Sequence, residues 1–149
     1  MAGGRRLPHV ATVAGRRALR WSNAVQPALV AVAAVAVAGY VAVVDPNQAG
    51  HYPTCPFLAL TGHYCPGCGS LRAIHALAHG DLARAVGLNL LMVAMVPLLV
   101  TIWGRWLVTE MTGRPRPRPA PAWRIWALLG VICVFWLVRN LPVGAALAP

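Results

Sequence analysis

Three cysteines cluster between positions 55 and 68 of this 149-residue chain, in the run Cys55-Pro-Phe-Leu-Ala-Leu-Thr61-Gly62-His63-Tyr64-Cys65-Pro-Gly67-Cys68-Gly69. Three chemistries use such a set. The first is metal binding. Cys-Pro-x-Cys-Gly is a common zinc-knuckle turn, with both thiolates aimed at one ion and glycines freeing backbone amides to face the sulfurs. Cys55 supplies a third ligand, and His63, His51 or His75 the fourth of a tetrahedral zinc site. The second is redox. The Cys65-x-x-Cys68 spacing closes a reversible disulfide, and thiols before a helix N-terminus ionise readily because the positive end of the helix dipole favours the thiolate. Cys55 is then the exchanging partner. The third is a structural staple from Cys55 to Cys65 or Cys68, typically worth about 2–4 kcal/mol, which leaves one thiol over. Cys133 lies in an apolar run and reads as a small buried hydrophobe. A thioredoxin-like domain is excluded, because no βαβ pattern surrounds the pair.

The polar residues that follow have plainer readings. Ser70 is the expected N-cap of a short helix over 70–80. Its apolar face is Leu71, Ile74, Leu77 and Ala78, with Arg72, His75 and His79 opposite. This pattern suits a helix lying in the membrane interface. Gly67 and Gly69 allow the tight turn before it, and Gly80 interrupts it so that Asp81 can cap the next element. Arg72 meets Asp81 or phosphate headgroups. Asn89, one turn into a long apolar run, makes an interhelical hydrogen bond.

The string Cys55-Pro, Thr61-Gly62, Cys65-Pro-Gly67-Cys68-Gly69, Arg72-Ala, Gly80-Asp81 and Asn89 resembles a family of small bacterial membrane proteins grouped as domain of unknown function 2752. The resemblance covers roughly residues 50–105. It departs from the family pattern at Leu90, where proline often follows the asparagine. It implies a membrane protein with a loop of recurrent cysteines and brings no activity with it.

The elements that must hold this loop are apolar. Hydrophobic residues make up 58% of the chain and charged residues only 11%, with a mean hydropathy of +0.62. An ordinary soluble domain carries about 25% charged residues, so both a soluble enzyme and a disordered chain are excluded. A spanning helix needs about 20 mostly apolar residues. Such runs occupy 27–44, with Pro27 expected in the first helical turn, and 85–106, closed by Trp103 and Trp106. A third, 124–142, holds a shorter uncharged stretch between Arg124 and Arg139. It crosses if both arginine side chains snorkel outward.

The net charge of +10 rests on 13 arginines and no lysine. Ten of the 13 lie in two segments: Arg5, Arg6, Arg16, Arg17 and Arg20 in the tail 1–26, and Arg105, Arg114, Arg116, Arg118 and Arg124 in 104–124. Loops rich in arginine stay cytoplasmic. The arginines therefore read as a topology signal and an anchor to anionic headgroups, not as a nucleic-acid surface. The N-terminus and the loop 107–123 are expected inside, and the cysteine loop 45–69 and the tail 143–149 outside, in a bacterial cytoplasmic membrane. The alternating prolines of 114–121 favour an extended basic spacer. Arg16-Arg17 faintly suggests an export signal, but no soluble domain follows for export.

The expected object is an all-α integral membrane protein with three transmembrane helices and an interfacial helix after the cysteine loop. Its expected role is that of an accessory protein with a disulfide or zinc centre. A thiol oxidoreductase and a metal-handling protein are the alternatives. A second copy or another membrane protein is a possible partner.

Overall fold

A computed structural model describes residues 10–48, 50–115 and 119–148, with side chains from residue 24 onward. The order is α1 (Val10–Val43), α2 (Pro56–Thr61), α3 (Ser70–Ala78), α4 (Leu82–Thr112), α5 (Ala122–Arg139) and a 3₁₀ helix (Pro142–Leu147). No strand occurs among the described residues, and the protein is an all-α membrane protein. Three helices are long and apolar enough to span: Ala24–Val43 within α1, α4, and α5. At most 11% of any span's apolar window is buried inside the chain. These flanks therefore face lipid, which suits Val, Leu and Ile side chains that water would not.

Several boundaries differ from the sequence reading. Helix α1 starts well before Pro27, which lies inside it. Proline supplies no N–H to the carbonyl one turn back, yet its own carbonyl is used: Trp103 Nε1 donates to Pro27 O at 2.9 Å. That bond ties the start of the first span to the far half of α4. Helix α4 runs on to Thr112, so Glu110, read as part of a loop, is helical and buried. Residues 1–9 of the basic tail and 116–118 of the Arg-Pro spacer lie outside the described residues.

The small core sits where α3 meets α4. Ala73, Ala76 and Ala85 are buried there, with Leu77, Leu88 and Val93 packed around them. Small side chains let two helices approach closely, as membrane interfaces favour. Helix α3 thus buries its alanines, not the leucine face expected of a surface-lying helix; Leu71 stays 38% exposed. Helix α3 also packs against α1. His75, expected on a wet face, bonds through Nδ1 to Val41 O at 2.8 Å, and its Nε2 lies 3.8 Å from Asp45 Oδ1. The two hydrogen bonds that Asn47 gives Asp45 hold that carboxyl below its ordinary range.

Helix α5 packs chiefly against the 3₁₀ helix, which in turn touches α4. This return is possible because residue 144 is glycine: a Cβ there would collide with the Val138 carbonyl. The segment read as a plain tail is therefore a bracket between α5 and α4. The loop 45–81 and the end of α5 consequently share one end of the molecule.

Candidate functional site

The cysteine loop folds as two turns facing each other. Cys55 is the residue before α2, with Pro56 in the first helical turn, and Gly62 closes that helix at φ 70°. Thr61 Oγ1 donates to Phe57 O at 2.7 Å and accepts from His63 N at 3.2 Å, which reverses the chain. The chain then enters the Cys65–Cys68 turn, closed by Cys68 N donating to Cys65 O at 3.1 Å. Gly69, at φ 83°, is the residue before α3. That conformation belongs to glycine. Gly67 is different: its φ is not positive and a Cβ would meet only Cys65 Sγ at 3.8 Å. Its expected turn-forming role falls to Gly69.

The two turns bring three sulfurs together. Cys65 Sγ lies 3.0 Å from Cys68 Sγ, and Cys55 donates to Cys65 Sγ at 3.5 Å. All three lie within 4.8 Å of one another, close enough to hold one metal ion. Tetrahedral zinc with Zn–S bonds of about 2.3 Å needs sulfurs ~3.8 Å apart. No histidine or carboxylate among the described residues joins this group. His63 turns its Nδ1 to Thr61 O at 2.8 Å, and His75 is held at Val41. His79 stacks on His75, with centroids 4.4 Å apart. Cys133 stands exposed on a flank of α5, not buried as expected.

The three thiols are not equivalent. Cys55 is more acidic than an ordinary thiol, because backbone amides at Leu58 and Phe57 and the Cys65 thiol face its sulfur. Cys68 is the buried one; burial, together with its bond to Cys65, pushes it up to about 12.

Most of what clamps this loop comes from the spans. Asn89 leaves the helical conformation inside α4 (φ −161°, ψ 91°) and is 1% exposed. Its Oδ1 accepts from Met92 N at 2.9 Å, so it caps the second half of α4. Its Nδ2 reaches Pro66 O at 3.0 Å, Cys68 O at 3.1 Å and Ser70 Oγ at 3.1 Å. The expected interhelical bond is thus a bond to the cysteine turn. The proline that often follows this asparagine in the family pattern is the residue that favours a helix's first turn, and it was the signal of a cap. Ser70, expected as an N-cap, instead begins α3 and accepts from Asn89. Asp81 does cap α4, accepting from Arg84 N at 2.9 Å, after Gly80 turns the chain at φ 77°.

Arg139 and Asn140 were not read as site residues. Arg139 does not snorkel; it is 1% exposed. Its Nη1 donates to Cys65 O at 3.1 Å, Cys68 O at 3.2 Å and, less closely, Pro66 O at 3.4 Å, and its Nη2 donates to Cys68 O at 3.2 Å. Its guanidinium lies over the Phe135 ring, 5.0 Å from the centroid, and is 5.8 Å from that of Tyr64. Asn140 accepts from Tyr64 N at 2.8 Å and donates to Tyr64 O at 2.9 Å. The sequence signal was a charge abutting a short apolar run, followed at once by an amide. Arg72 does not make its expected ion pair with Asp81 among the described residues. It lines the cleft beside the sulfurs instead.

No curated protein and no solved structure matches the chain. Residues 55–103, which carry the three cysteines, Arg72 and Asn89 but neither Arg139 nor Asn140, match the family described as Protein of unknown function (DUF2752).

Proposed function

We propose that the cysteine loop is a three-thiolate centre for a zinc-class ion, held at the outer face of a bacterial cytoplasmic membrane by an accessory membrane protein. The observation that carries this reading is the buried Arg139 cation against the turn that bears Cys65 and Cys68. No carboxylate pairs with it among the described residues. A buried charge needs compensation. Zinc with three thiolates carries one net negative charge and supplies it. A Cys65–Cys68 disulfide is neutral, leaves the cation uncompensated, and leaves Cys55 over. Soft thiolate ligands select zinc, copper(I) or iron–sulfur chemistry over hard cations.

The test uses the full chain in detergent. About one zinc per chain is expected, lost in C55S, C65S and C68S, with the three loop thiols reacting only after chelation. Unchanged metal content in C65S, or thiols released by reductant alone, overturns the reading. For orientation, the arginine distribution supports an active alkaline phosphatase fusion after Val44 and an inactive one after Trp106; the reverse pattern refutes it. The same distribution supports contact of the basic segments with anionic headgroups.

The 3.0 Å approach of Cys65 and Cys68 favours one second reading, a thiol oxidoreductase. There the pair passes two electrons and two protons to a partner protein's disulfide. Cys65 and Cys68 become a disulfide and the partner a dithiol, with Cys55 as the exchanging thiol. Turnover with such a partner by metal-free protein distinguishes it.

A further inference from the structure

The three sulfurs are enclosed on one side only. Asn89, Arg139 and Asn140 hold the backbone of the Cys65–Cys68 turn and of Tyr64 before it from the membrane side. Opposite them is a cavity of about 440 Å³. Cys55, Cys65 and Cys68 line it together with Tyr52, Asn47 and Arg72. Structural zinc sites are closed by four protein ligands, whereas three protein ligands leave a position for an exogenous one. Here no fourth histidine or carboxylate joins the sulfurs among the described residues. A cavity of this volume is within the range that holds small molecules.

Arg72 decides what kind of molecule. It is half-buried at this cavity, and its guanidinium has neither an ion pair nor a hydrogen bond to another described residue. A guanidinium pairs best with a carboxylate or phosphate, which it grips with two parallel N–H bonds. The open position of a thiolate-bound soft ion favours a soft donor. We infer that the centre takes a small thiol carrying a carboxylate, its sulfur on the metal and its carboxylate on Arg72. This rests on the metal-centre reading and adds to it the class of ligand that the open position accepts.

The test loads the full chain in detergent with cobalt(II), whose thiolate charge-transfer absorbance reports each cobalt–sulfur bond. Mercaptoacetate is the probe, and 2-mercaptoethanol its uncharged counterpart. Mercaptoacetate is expected to raise that absorbance by about one third, as a fourth bond joins three. It should saturate at a concentration about tenfold below that of 2-mercaptoethanol, the value of one charge-assisted contact. R72A is expected to abolish this preference; its cobalt spectrum before thiol is added reports that its site has formed. No rise with mercaptoacetate, loss of cobalt to it, or equal saturation by both thiols in the wild type overturns the inference. If cobalt gives no three-thiolate spectrum at all, the metal centre itself is refuted and this inference falls with it. If the spectrum forms and no thiol adds to it, only this inference fails.

Discussion

Replacing Arg139 with methionine keeps an apolar stem of similar length and removes the charge. The cost can be worked from the contacts. All three carbonyls that Arg139 serves keep another donor: Cys65 O has Cys68 N, and Pro66 O and Cys68 O each have Asn89 Nδ2. No buried acceptor is orphaned, so the penalty of about 1–3 kcal/mol per unsatisfied group does not apply. What is lost is the bonding of a charged donor, partly offset by relief from burying a cation. In metal-free protein these oppose each other, and R139M should change stability by no more than about 1 kcal/mol. In loaded protein the cation also faces a centre of net charge −1. At a separation of ~6 Å and an effective dielectric of ~20, that attraction is about 3 kcal/mol. Cys55 and Cys65 are only half-buried where they line the cavity, and screening reduces it to about 2 kcal/mol. R139M should therefore bind zinc about 30-fold more weakly than wild type, measured by competition with a chromophoric chelator in detergent. Zinc affinity within threefold of wild type, in a variant whose metal-free thermal unfolding is unchanged, would refute the charge-compensation argument. R139M destabilised equally with and without metal would do the same.

Other outcomes follow from single contacts. H63A should leave metal content at the wild-type level, since its ring is turned to Thr61 O; a loss of metal would mean that His63 is a ligand. N89A removes a helix cap and three donor contacts to the cysteine turn and should cost about 2–3 kcal/mol, read as a lowered midpoint of thermal unfolding in detergent. G144A should destabilise by about 2 kcal/mol or more because its Cβ meets the Val138 carbonyl, whereas G130A, with open space around it, should be near neutral. Equal unfolding midpoints for the two glycine variants would exclude the bracket role of the 3₁₀ helix.

The three spans were legible because hydropathy and length are local properties, and the bilayer imposes both. The convergence of Cys55 on Cys65 and Cys68 was legible as a motif, but its geometry was not. It depends on the six-residue α2, whose Pro-Phe-Leu-Ala-Leu-Thr sequence is too short to announce a helix by periodicity. Arg139 and Asn140 were hidden for a different reason. An arginine at the end of a span normally reaches for headgroups, and only the fold reveals that the cysteine turn stands in their place. Asn89 was seen as polar and intramembrane, but its partners lie some 20 residues away, and no spacing rule connects them. The 3₁₀ return rests on the single hydrogen at Gly144 and has no pattern at all.

The clamp has an order in time. Arg139 follows Cys65 by 74 residues, and its bonds to the turn must await the synthesis and insertion of α5. At about 5–20 residues per second, that interval is roughly 4–15 s. During it the loop is already past α1 and its thiols are held by no cation. The turn therefore acquires its full set of bonds only in a chain that has been made and inserted through residue 140. A chain that stalls after α4 has only the bonds of Asn89 to the cysteine turn and lacks those of Arg139 and Asn140.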